Sequence, residues 1–122
     1  MQLKELRKLY PGVLIESAHI IKAEVYIEDR TGSLTVSLWM KFKGFTQGLG
    51  GYALFREDYN KVYDSSCGYY IHRILKLFNV RCLDELKDKK VYAILDSSKI
   101  YAIGLNRKND TDWFCPDEEL KC

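Results

Sequence analysis

Between Ser33 and Lys43 the chain alternates without a break. Leu34, Val36, Leu38, Met40 and Phe42 take every second position, and Ser33, Thr35, Ser37, Trp39, Lys41 and Lys43 take the others. A period of two fits a strand with one buried face and does not fit a helix, whose apolar positions recur every three to four residues. Just before it, Asp29-Arg30-Thr31-Gly32 has the composition of a tight turn. Earlier still, His19 to Ile27 carries Ile20, Ile21, Ala23, Val25 and Ile27 in an imperfect period of two. Together these segments predict an antiparallel hairpin with one face on a core and the other turned outward. Trp39 falls on the outward-patterned face, so the pattern also predicts that another element or a partner covers it.

The segments on either side fill in an α+β chain. Leu3, Leu6, Leu9 and Tyr10 recur at helical spacing with charged residues opposite, which predicts a short amphipathic helix over residues 2–10, stopped by Pro11-Gly12. Tyr52 to Phe55 reads as a brief strand, and residues 56–66 as a long polar loop of the kind that often carries function. Ile71, Ile74, Leu75 and Phe78 form the apolar stripe of the main helix, predicted over residues 69–79. Residues 80–86 read as a turn into a second short helix. Strands at 90–95 and 100–105 flank an Asp96-Ser97-Ser98-Lys99 turn, and a polar tail over 106–122 carries one apolar clip, Trp113-Phe114. The expected fold is a single domain, 1–122. It is an antiparallel sheet of four to five strands with the main helix and the N-terminal helix packed on it.

Composition narrows the function. At 122 residues the chain is one domain in size, able to bury roughly two-thirds of its unfolded surface without metal or disulfide staples. A formal net charge of +2 is too weak for general DNA or RNA binding, which needs clustered Lys and Arg to neutralise many phosphates. It leaves room for a small phosphorylated ligand held by two or three basic residues. The four cysteines, Cys67, Cys82, Cys115 and Cys122, form no C-x-x-C pair, so no zinc site is expected. Residues 1–17 have no long apolar core, and no apolar run spans a membrane. Free thiols in a reducing cytoplasm are the expectation.

The densest local feature is "GFTQGLGGYAL", residues 44–54, with four glycines between Gly44 and Gly51. Gly48, Gly50 and Ala53 satisfy the letters of the dinucleotide fingerprint. That fingerprint works only where the glycines open a helix whose N-terminus holds the pyrophosphate. Here β-like residues follow, so a dinucleotide-binding fold is rejected. A Walker A loop is absent for lack of Gly-Lys-Ser/Thr. Two readings remain. The stretch is a bend or bulge between strands, or its backbone approaches an anion closely, with Phe45, Gln47 and Tyr52 supplying stacking and hydrogen bonds. On the main helix Tyr69, His72, Arg73 and Lys76 share a face of cations and aromatic surface that suits a phosphorylated aromatic ligand, or is simply solvated. Arg56 directly follows the Tyr52 strand and joins the same pocket if that strand leads toward the glycine stretch. No nucleophile with an orienting partner, and no carboxylate pair, announces catalysis. The expectation is therefore no enzyme, no cofactor and no metal.

The succession of a β-hairpin, "TQGLGGYAL", "IHRILKLFNV", "LDELKDKKVYA", "KIYAIG" and "WFCP" resembles the phage anti-Thoeris proteins that sequester cyclic ADP-ribose signals. It covers roughly residues 18–116, with Gln47-Gly48-x-Gly50-Gly51-Tyr52 as its most specific block. The resemblance implies a sponge: a protein in the cytoplasm of an infected bacterium that binds the NAD-derived signal of a TIR-domain enzyme without cleaving it. It implies a homo-oligomer with ligand in recesses between subunits, and for some members binding of cyclic oligonucleotides. The ligand-binding set expected on this reading is Phe45, Gln47, Gly48, Gly50, Gly51, Tyr52, Arg56, Tyr69, His72 and Arg73. The competing readings are a protein-binding inhibitor of a host enzyme, anchored by Trp39 and tyrosines, and a small nucleotide phosphodiesterase.

Overall fold

The central strand, β1 (Leu14–Ile27), forms hydrogen-bonded ladders on both sides. The computed structural model describes residues 1–30, 32–55, 66–106 and 112–120, with the side chains of 51–55 and 66–67 outside that description. Ahead of β1 lies α1 (Leu3–Leu9), and after it come β2 (Leu34–Phe42), β3 (Phe45–Phe55) and α2 (Ser66–Phe78). A single 3-10 turn (Leu83–Leu86) leads to β4 (Lys90–Leu95) and β5 (Ile100–Gly104), and a one-turn helix, α3 (Pro116–Glu119), closes the chain. All neighbours in the five-stranded sheet are antiparallel, in the order β3-β2-β1-β4-β5. The chain is α+β, as the alternation and the helical stripe predict.

The sheet separates two apolar clusters. On one face Ile20, Val36, Leu38, Met40, Phe42, Leu49, Val91 and Ala93 meet Tyr70, Ile74, Leu77 and Phe78 of α2. Each fully buried side chain of this size contributes about 1.5–3 kcal/mol of transfer free energy. The stripe on α2 is rotated from the expected one. Tyr70 is fully buried and donates to the Leu49 carbonyl, while Ile71 and Leu75 are only partly buried. A tyrosine can sit there because its hydroxyl finds a strand carbonyl. Gln47 Nε2 donates to the Ser98 carbonyl at 3.5 Å, and β3 touches β5 although they are opposite edges. The sheet therefore curls around the α2 side.

On the other face Leu3 and Leu6 of α1 pack with Ile94, Ala102, Trp113 and Cys115. Leu9 does not join them and stays 46% exposed; Tyr10 instead stacks on Tyr101 with ring centroids 4.4 Å apart. The tail folds back onto the sheet through its Trp-Phe clip. Phe114 bridges Ile103 at the β5 edge, and the Trp113 ring lies over Gly104, where an added Cβ would come within 2.8 Å of the indole. No helix among the described residues is long and apolar enough to cross a membrane.

Candidate functional site

The glycine stretch is neither a loop nor a bend. It is the body of β3, an edge strand, and the turn before it is only Lys43-Gly44, with Gly44 at φ 89°. Each of two glycines is required by a neighbour on β2. Gly48 pairs with Trp39, and a Cβ on Gly48 would stand 2.9 Å from Trp39 Cζ3. The indole lies against the bare backbone, an aromatic covering an edge glycine. This covers Trp39, whose Nε1 also donates to Glu24 Oε1 at 3.3 Å. Gly50 pairs with Ser37 beside a register shift, has φ 156°, and would place a Cβ 2.6 Å from Ser37 Cα. A bulge with such a contact admits glycine only. Trp39 on Gly48 and Trp113 on Gly104 repeat one device at the two edges of the sheet.

Register separates the expected ligand-binding residues. Phe45 and Gln47 lie on the α2 side of β3, where Phe45 stacks on Phe42 with centroids 4.7 Å apart. Gly48 and Gly50 lie on the opposite face, with Trp39 and Ser37. Tyr52 pairs with Val36 in the β2·β3 ladder, and Gly51 belongs to the same strand. Arg56 lies outside the described residues. On α2, His72 is exposed, while Tyr69 and Arg73 turn to the tail. Arg73 Nε donates to Glu119 Oε1 at 3.0 Å, and its Nη2 reaches Asp112 Oδ1 and the Trp113 carbonyl, each at 3.4 Å. Its guanidinium also lies 5.5 Å from the Phe114 ring centroid. Tyr69 donates to the same Glu119 carboxylate at 3.0 Å, a hydrogen bond that raises its pKa. In this arrangement Arg73 holds the tail against α2.

A different cationic group does gather. His19 of β1 is directly opposite Lys41 of β2 on one side and Lys90 of β4 on the other. The three share the sheet face away from α2, with Lys43 just beyond, and they line a recess of about 460 Å³ with Ser17. Among the described residues no carboxylate forms an ion pair with any of these four. Lys90 Nζ lies 5.2 Å from the Tyr92 ring centroid. Trp39 is two positions along β2 from Lys41 on the same face. The sequence gives no warning of this group, because its members come from three separated segments that only the strand register unites.

A second recess, also about 460 Å³, opens at the end of the sheet between Leu14, Phe45 and Leu95, with Glu16 and Asp96 at its edge. Leu14 is 62% and Phe45 45% exposed. Asp96 is committed to its own turn. It accepts from the Tyr101 hydroxyl at 2.5 Å, from Ser98 N and Oγ, and from Lys99 N. These bonds, the Tyr101 one first, hold its carboxyl well below the usual carboxylate range. Cys115 is buried, with Tyr10 Oη at 3.7 Å from Sγ, and burial pushes its thiol up. No group of three or more His, Cys, Asp and Glu residues among the described residues could hold a metal ion.

No protein-family model, curated protein or solved structure matches this chain.

Proposed function

We propose that the protein binds and sequesters a small phosphorylated nucleotide signal without transforming it. The cyclic ADP-ribose class is the specific candidate, and the reading is an anti-defence sponge acting in the cytoplasm of a phage-infected bacterium. One observation carries the chemical part of this reading. Three adjacent strands set Lys41, His19 and Lys90 in a row along an open recess, with no carboxylate salt-bridged to them among the described residues, and Trp39 and Tyr92 lie beside them on the same face. Unneutralised cations beside aromatic surface suit an anionic ligand with a ring. The choice of cyclic ADP-ribose rests on the sequence resemblance, as does a homo-oligomeric assembly.

The apolar recess at Leu14 and Phe45 favours a second reading, a protein-binding inhibitor that seats a partner side chain there. One experiment separates the two. The purified protein is mixed with cyclic ADP-ribose isomers, free ligand is measured, the protein is denatured, and ligand is measured again. A sponge depletes the ligand and returns it intact. Recovery of a linear product refutes sequestration in favour of catalysis, and no depletion of any isomer refutes the nucleotide reading.

A further inference from the structure

We infer that Lys41, His19 and Lys90, with Lys43 at the rim, form a binding site for a diphosphate group. The inference deepens the nucleotide reading and rests on it for the rest of the ligand. Neighbouring strands lie about 4.7–4.9 Å apart, so the backbones of Lys41 and Lys90 are roughly 10 Å apart with His19 midway. A single phosphate placed at His19 meets either ammonium group only if that side chain folds inward over the sheet. Two phosphoryl groups joined through one oxygen spread their charge along the row, each taking one lysine, with His19 between them and Ser17 two positions along β1 in the same recess.

The charge balance around the row also favours a polyanion. Lys41 and Lys90 repel one another across His19 in the free protein, and a polyanion relieves that repulsion on binding. The one carboxylate of the neighbouring rungs on this face, Glu24, is already engaged. It pairs with Lys22 Nζ at 2.9 Å and accepts from Trp39, so it does not neutralise the row. Acidic residues elsewhere in the sheet do not neutralise it either. Glu16 pairs with Ala93 and points to the α2 side, and Asp96 is held by its own turn.

The test uses calorimetric titration of the whole chain with inorganic pyrophosphate and, separately, inorganic phosphate. Pyrophosphate is expected to bind at least tenfold more tightly than phosphate. The double variant Lys41→Ala/Lys90→Ala should weaken pyrophosphate roughly tenfold to a hundredfold, the loss expected for charge-assisted contacts. Lys8→Ala, on the exposed side of α1, should leave binding unchanged. The double variant removes two like charges that flank His19 on one sheet face and should melt no lower than the parent, so a melting curve recorded beside each titration separates lost binding from lost folding. Equal affinity for pyrophosphate in the double variant and the parent overturns the site, as does a parent that binds phosphate equally well or binds neither anion. Cyclic ADP-ribose titrated into the same proteins separates the two claims. If the parent binds pyrophosphate through these lysines but no cyclic ADP-ribose, the nucleotide reading fails and the site stands. If both proteins bind cyclic ADP-ribose equally, the site fails and the reading stands.

Discussion

Replacing Gly50 with alanine should cost the fold more than replacing Gly48, although both lie in one glycine-rich strand. At Gly48 the new methyl meets the Trp39 ring at 2.9–3.3 Å. The indole can tilt away at the cost of overpacking and of a weakened Nε1 bond to Glu24. Overpacking of this kind costs about 1–3 kcal/mol, and alanine recovers about 0.4–1 kcal/mol by restricting the unfolded chain. The net expectation for Gly48→Ala is a loss of about 1–2 kcal/mol. At Gly50 the clash is with backbone, 2.6 Å to Ser37 Cα and 2.7 Å to the Val36 carbonyl oxygen, at φ 156°. Neither neighbour can swing aside, and the strained φ adds about 1–3 kcal/mol. Gly50→Ala is therefore expected to cost about 3 kcal/mol or more. Urea unfolding followed by circular dichroism reads both values, and in a domain of this size each kcal/mol lowers Tm by about 3–6 °C. A Gly50→Ala variant as stable as the parent, or a Gly48→Ala variant that loses more than Gly50→Ala, would show that these glycines do not serve sheet packing.

Three further outcomes follow from the tail and the turns. Arg73→Ala leaves Glu119, whose side chain is 15% exposed, without its cation and should destabilise the chain by about 2–3 kcal/mol, less than the full loss for a wholly buried pair. Arg73→Lys should recover only part of this because an ammonium cannot reproduce the guanidinium fork. Asp96 has a carboxyl pKa depressed by folding, so its contribution is complete above the unfolded value of about 3.9 and fades as pH falls below it. Asp96→Asn should lower stability at pH 7 and flatten the acid limb of the stability curve below pH ~4, and an unchanged acid limb would count against the Asp96 network. Thiol labelling of the folded protein read by mass spectrometry should modify exposed Cys82 and spare buried Cys115 until urea unfolds the chain; early labelling of Cys115 would contradict its burial beside Tyr10 and the α1 cluster.

How much the sequence reveals depends on how local each signal is. The β2 alternation and the main helix are read from neighbours in the chain, and the structure places a strand and a helix there; the Asp29–Gly32 turn falls partly outside the described residues. The glycine stretch misleads because its cause is not local. Gly48 and Gly50 are glycine on account of Trp39 and Ser37, which become their partners only once the β2·β3 register is set. Seen alone, the same letters look like a bend or an anion loop. Arg73 is ambiguous for the same reason. A cation on a polar helix face suits a ligand until the tail returns with Glu119 and Asp112. The row of Lys41, His19 and Lys90 escapes sequence reading altogether, since each residue alone is an ordinary polar position on an outward face.

The central claim is that ligand is held on the sheet face opposite α2. The most direct measurement is amide chemical-shift mapping of the labelled protein titrated with cyclic ADP-ribose. The account predicts that the largest shifts gather at residues 17–19, 41–43 and 90, with smaller ones at Trp39 and Tyr92. Shifts concentrated instead at Phe45, Gln47, His72 and Arg73, or no shifts at saturating ligand, would contradict it.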